Sequence, residues 1–219
     1  MKGCFITFEG IDGSGKTTQI ARMHTFLQEQ GYEVILTREP GGTRISDRIR
    51  ALLLDPEHQE MEEATEVLLY AASRAQHVRE KIVPELEKGK IVLCDRFLDA
   101  SLAYQGYGLG LPLSDILAVN RFATGGVAPD RTYFLELPLE VSQARLAARF
   151  ASQEGPDRIE QKPSSYHKRV YEGFMTIREQ YAERIVPVDA NRSVEEIEQE
   201  LQADILPYLQ AQKHSVHPS

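Results

Sequence analysis

The stretch Phe8-Glu-Gly-Ile-Asp-Gly-Ser-Gly-Lys-Thr-Thr-Gln19 constrains the fold more than any other. Gly10-x-x-x-x-Gly15-Lys16-Thr17 is the spacing of a Walker A loop, and it lies between an apolar run, "CFITFEG", and an amphipathic one, "TTQIARMHTFLQEQG". A strand entering a glycine-rich turn that opens a helix turns successive backbone N–H groups inward around phosphate oxygens. The helix N-terminus adds partial positive charge. Lys16 then reaches the outer phosphates, Thr17 has the hydroxyl for Mg²⁺, and Gly10, Ile11, Asp12, Gly13, Ser14, Gly15 and Thr18 complete the loop. A bound nucleoside triphosphate is the first expectation. Asp12 is odd in such a place, because a carboxylate beside a triphosphate is repelled. It is either a solvated Asp-Gly turn residue or an acceptor aimed at the hydroxyl of a second substrate.

Short apolar runs alternate with helical periodicity along the 219 residues, which predicts crossover units and a largely parallel sheet in one domain. "EVILTREP", "KIVLCDR", "RTYFLEL" and "IVPVD" read as further strands. Residues 43 to 54 and the segment "ATEVLLYAASRAQHVREKIVPELEKG" read as helices, with Gly31 and Gly89 as stops. Tyr166, Val170, Phe174, Ile177 and Tyr181 form one core stripe, and Ser193 with Glu196 a capping box. With 33 acidic against 25 basic residues the net charge is −8, which excludes a general attraction to nucleic acid or anionic lipid. Cys4 and Cys94 sit in apolar runs and read as buried free thiols in a reducing compartment. No segment approaches the eighteen or so apolar residues of a membrane span, and no secretory signal is visible, so the expected location is the cytoplasm.

"KIVLCDRF" delivers Asp95 and Arg96 at the carboxyl end of a buried strand, where open α/β sheets collect ligands. Asp95 could assist Mg²⁺, and Arg96 is its ion-pair partner or a phosphate ligand. Tyr70 and Arg74 are four apart in helical sequence, as are Ser101 and Gln105, with Tyr104 beside them. The first pair could hold a base and its phosphate or be an aromatic core residue with a solvated arginine; the second could read a base edge. Arg38 and Arg50 add cations beyond what one triphosphate needs. Two anions meeting implies transfer between them.

In series, "ITFEGIDGSGKTTQ", "TREPGGT", "YAASR", "CDRF", "SLAYQGYG", "DRIEQ" and "VDANRS" make the chain similar to the thymidylate kinase family over nearly its whole length. The resemblance implies a P-loop NTPase fold of the nucleoside monophosphate kinase type: a five-stranded parallel sheet flanked by helices, residues 1–212 as one kinase domain, a mobile lid at about 149–161, and a frayed tail at 213–219. It implies phosphoryl transfer from ATP to dTMP with Mg²⁺, in a homodimer. Asp12 then matches the acceptor of the deoxyribose 3′-hydroxyl, and Arg38, Arg50, Arg74 and Arg96 match arginines around the monophosphate or the transferred group. Tyr70 takes the base-stacking position, Ser101 and Gln105 the thymine edge, and Tyr104 the sugar's 2′ side. Tyr70 and Phe97 replace the family's phenylalanine and tyrosine. Arg149 matches the residue over adenine, and Arg192 of "VDANRS" lies on the same ATP side. Gly13 stands where some members carry a catalytic arginine, which assigns that charge to the lid, to Arg158. Lys16, Arg96 and Arg158 are the expected catalytic residues; Thr17 and Asp95 are the metal ligands. The competing class is a guanine-nucleotide switch, but no Asn/Thr-Lys-x-Asp guanine-reading motif occurs in the sequence.

Overall fold

A computed structural model describes residues 3–152 and 155–214. Its sheet is parallel and five-stranded in the order β2-β3-β1-β4-β5. The strands are β1 (Cys4–Glu9), β2 (Val34–Arg38), β3 (Ile91–Asp95), β4 (Arg131–Glu136) and β5 (Ile185–Asp189). β1 is buried at every position, as its unbroken apolar run requires of a central strand covered on both faces. The edge strands β2 and β5 alternate between buried and open positions.

All five strands end in a charged residue on the same edge of the sheet: Glu9, Arg38, Asp95, Glu136 and Asp189. Phe8 is in register with Asp95, and Asp95 with Arg38. The chain leaves β1 toward β2 on one side and β3 toward β4 on the other. The reversal therefore falls between β1 and β3, where such sheets open a crevice for ligands.

α1 (Lys16–Glu29) and α9 (Val194–His214) cover one face through Met23, Leu27, Ile205 and Leu209. α8 (Ser164–Gln180) covers the other with Tyr166, Val170, Phe174 and Ile177, each buried at roughly 2–3 kcal/mol for the larger side chains. The expected stripe is core, and the Ser193–Glu196 capping box forms in both directions, at 3.0 and 3.3 Å. α9 continues through His214, and residues 215–219 of the expected tail lie outside the described residues.

α2 (Arg44–Leu54), capped by Thr43, leads to the long helical segment, which is not uniform. It comprises α3 (Glu63–His77), a π-helical turn at Val78–Ile82, and α4 (Val83–Glu87). Pro84 lacks an N–H and crowds the carbonyl one turn back, and the wider turn before it absorbs that mismatch. After β3 come α5 (Leu98–Ser101), a second π turn (Leu102–Gly108) and α6 (Leu113–Thr124). α6 was not anticipated, although Pro112 before it and Gly125 at φ 61° after it are its boundary signals. α7 (Leu139–Ser152) takes up the first part of the expected lid, residues 153–154 lie outside the described residues, and the rest returns from Gly155 to α8.

Candidate active site

Gly10, Gly13 and Gly15 have φ of 138°, 76° and 89°, which only glycine adopts without strain. At Gly10 a side chain would also stand 2.6 Å from the Leu135 carbonyl. No side chain caps α1. Lys16 folds back over the loop, its Nζ donating to the carbonyls of Gly10 at 3.1 Å and Ile11 at 2.9 Å. Burial, with help from Arg96, brings its pKa down to about 8 against the opposing pull of Asp12, Asp95 and Glu9. Thr17 Oγ1 donates to Asp95 Oδ2 at 3.0 Å, so the two expected metal ligands are neighbours. Two hard oxygens beside a triphosphate loop fit Mg²⁺, which takes one or two protein oxygens and fills its octahedron with phosphate and water.

Asp12 has partners that neither sequence reading supplied. Its Oδ1 accepts from the Arg96 guanidinium at 2.6 Å and its Oδ2 from the Tyr104 hydroxyl at 2.9 Å. Burial alone would raise its pKa, but Arg96 and Lys16 outweigh that and hold the carboxyl well below the usual range. Arg96 also donates to Tyr104 Oη and to the Gly10 carbonyl, with its guanidinium 5.0 Å from the Tyr104 ring centroid. Its backbone sits at φ 69°, among the described residues the one non-glycine with positive φ. Strain of this kind persists only where surroundings over-determine it.

That determination comes from Glu9, which the sequence reading passed over. Its Oε1 accepts the Phe97 N–H at 2.7 Å and the Ala100 N–H at 3.4 Å, tying the turn after β3 to the end of β1. The carboxyl is fully buried, and desolvation, with the Asp99 carboxylate adding, pushes its pKa up to about 8. Arg96, the Phe97 N–H and Lys16 oppose that rise.

Beyond this turn lies a cleft of about 590 Å³ including its open mouth. Asp12, Arg50, Tyr70, Arg74, Arg96, Ser101, Tyr104 and Gln105 all line it. Arg74 is 2% exposed, which overturns the solvated alternative, and it serves as a hub: it donates to Glu39 (2.7 Å), Ser101 Oγ (2.9 Å), the Phe97 carbonyl (3.0 Å) and Asn120. Glu39 in turn meets His77 at 2.9 Å. At the mouth, Arg50 donates to the Pro40 carbonyl, and burial together with the like charge of Arg38 lowers its pKa. Such crowding favours an anion between them. Arg38 pairs with Asp47 at 3.3 Å in solvent.

Arg149 and Arg158, in the segment expected to form a lid, both pair with carboxylates. Arg158 is 2% exposed and donates to the Leu53 carbonyl at 2.7 Å and to Glu66 at 2.8 Å, so it faces α3 and not the loop. Arg149 pairs with Glu160 while remaining half-exposed. Arg192 turns to Glu200 and to the Asp189 carbonyl. Arg145, which the sequence reading missed, donates to the carbonyls of Gly13 at 3.1 Å and Ala190 at 3.3 Å, joining the phosphate loop to the end of β5. Its position four residues before Arg149 on one helix was the available signal.

A triphosphate loop facing a cationic cleft across a topological switch point defines a nucleoside monophosphate kinase of the P-loop class. The sequence model of the family "Thymidylate kinase" matches residues 8–201, and the chain belongs to that family. A thymidylate kinase of Exiguobacterium sibiricum is 54% identical over 209 residues, covering 95% of this chain and 97% of its own. One from a Geobacillus strain is 46% identical over 197 residues, covering 90% and 93%. The crystal structure of thymidylate kinase from Ehrlichia chaffeensis superposes with a TM-score of 0.74 at 33% identity, covering 94% of this chain and 99% of that one.

Proposed function

We propose that the chain is an ATP-dependent dTMP kinase, transferring the γ-phosphoryl group of ATP in line to a phosphate oxygen of dTMP to give dTDP and ADP. The observation that carries this reading is the shared edge: Arg96 contacts both Gly10 of the triphosphate loop and Asp12 and Tyr104 of the cleft. A phosphate nucleophile is already anionic, so no strong base is required, and positioning with charge neutralisation supplies the acceleration. Lys16 and Arg96 share the charge of the transferred group. Thr17 and Asp95 would hold Mg²⁺, which when bound neutralises the β- and γ-oxygens. Asp12 has used two of its roughly four lone-pair sites and keeps the others for a sugar hydroxyl. Arg38 and Arg50 take the monophosphate, Tyr70 offers its ring to the base, and Tyr104 crowds the sugar. On the ATP side we place Arg145 with Arg149 and Arg192.

For the lid cation we replace Arg158 with Arg149. Freeing Arg158 leaves the buried Glu66 carboxylate without its cation, a loss on the order of 3–5 kcal/mol, whereas the Arg149 side chain is 41% exposed and keeps water within reach of its charge. A closing lid, which the family resemblance implies, would exclude water and limit wasteful hydrolysis.

We also read the chain as a cytoplasmic homodimer. No described helix is long and apolar enough to cross a membrane. Ile45 and Leu52 of α2, Leu68 of α3, and Leu117 and the 91%-exposed Phe122 of α6 are apolar side chains open to solvent on adjoining helices, a surface suited to a second copy. Light scattering tests the dimer. Turnover with ATP and dTMP, dUMP, dCMP, AMP or GMP tests the activity: dTMP is expected to lead, and a purine or no acceptor at all would overturn it.

A further inference from the structure

We propose that Glu66 is a specificity-determining positioning residue, whose carboxylate fixes which end of the Gln105 amide faces the cleft and so selects a pyrimidine with a hydrogen-bond donor at N3. This rests on reading the cleft as the dTMP site. Glu66, on α3, is 1% exposed and uses both oxygens: Oε2 accepts from Arg158 at 2.8 Å and Oε1 from Gln105 Nε2 at 3.0 Å. A carboxylate facing a guanidinium only accepts, so the Gln105 atom turned toward it must be the NH₂ group. The carbonyl Oε1 is therefore the end left for the cleft, and among the described residues no donor meets it. An acceptor in that place matches the N3–H of thymine or uracil and opposes the bare N3 of cytosine.

A second polarity, set the same way, reinforces the first. Ser101 Oγ accepts from Arg74 at 2.9 Å, which leaves its proton for another acceptor. Ser101 lies one helical turn before Gln105, and both line the cleft. A donor beside an acceptor is the complement of a thymine O4/N3–H edge and the inverse of a cytosine N4–H₂/N3 edge.

Glu66→Gln gives a directional test. Arg158 still demands an acceptor, so the new amide turns its oxygen to Arg158 and its NH₂ to Gln105. The Gln105 amide then flips and presents its NH₂ to the cleft. The ratio of kcat/KM for dTMP over dCMP is expected to fall about a hundredfold or more, with dCMP itself improving, since sites built on buried hydrogen bonds discriminate by large factors. Gln105→Ala added to Glu66→Gln should abolish the gain for dCMP, because the flipped NH₂ that produces it is gone. Should Glu66→Gln not fold, Glu66→Gln/Arg158→Leu removes the ion pair without leaving a buried charge, and the ratio should then fall without any gain for dCMP. A variant that loses turnover while keeping the wild-type ratio overturns the inference. Wild-type protein that does not phosphorylate dTMP would instead overturn the reading of the site.

Discussion

Glu9→Gln isolates the residue that holds the Arg96 turn. In the folded chain the Glu9 carboxyl has a pKa of about 8, against an ordinary value of 4.5. Burial is the main cause, Asp99 adds, and Arg96, the Phe97 N–H and Lys16 oppose. A raised carboxyl pKa means that the folded state binds more protons than the unfolded one throughout that window, so stability falls as pH rises from about 5 to about 8. One proton corresponds to about 1.4 kcal/mol per pH unit, or on the order of 4 kcal/mol across the window. Glutamine keeps a carbonyl oxygen for the Phe97 and Ala100 N–H groups but cannot ionise. Urea unfolding of both proteins at pH 5, 6, 7 and 8 should therefore give similar midpoints at pH 5. At pH 8 the variant should be more stable by several kcal/mol, because titrating groups that do not interact with Glu9 cancel in the comparison. Parallel curves would refute the reasoning, since they would mean that Glu9 ionises alike in both states.

Other perturbations probe the chemistry directly. Lys16→Ala and Arg96→Ala should each lower kcat by about 10²–10³ while circular dichroism stays native, because each removes a charge aimed at the reacting phosphate; near-normal turnover counts against the assignment. Asp12→Ala should weaken dTMP binding more than ATP binding in calorimetry, and equal losses would return Asp12 to a purely structural role. Arg149→Ala should cut kcat with little change in melting temperature. Arg158→Ala should instead lower the melting temperature by about 6–20 °C, as expected for a buried pair worth 3–5 kcal/mol. The reverse pattern restores Arg158 as the lid cation.

What could be read from the sequence was local. The phosphate loop, the five strands and the capping box at Ser193 are each written within about a dozen consecutive residues, where periodicity and turn chemistry act. The charged residues Asp95 and Arg96 were legible for the same reason, since a strand that ends in charge must present it at the sheet edge. The glutamates that organise the site were not. Glu9 meets Phe97 across 88 positions, Glu66 meets Arg158 across 92, and Arg74 reaches Glu39 in the turn after β2, Ser101 on α5 and Asn120 on α6. No spacing rule connects such partners, so an aromatic with a solvated arginine looked as reasonable as a buried hub. Asp12 shows the same limit, because its cation Arg96 lies 84 residues away. The family resemblance implied a role toward substrate but said nothing of its resting partners.

The central claim is direct transfer between two nucleotides held end to end at the β1–β3 crevice. The most direct measurement follows the label of [γ-³²P]ATP. With dTMP present, one labelled dTDP should form for each ADP, and without dTMP little ADP should appear. Release of labelled inorganic phosphate at the same rate with or without dTMP would contradict the account.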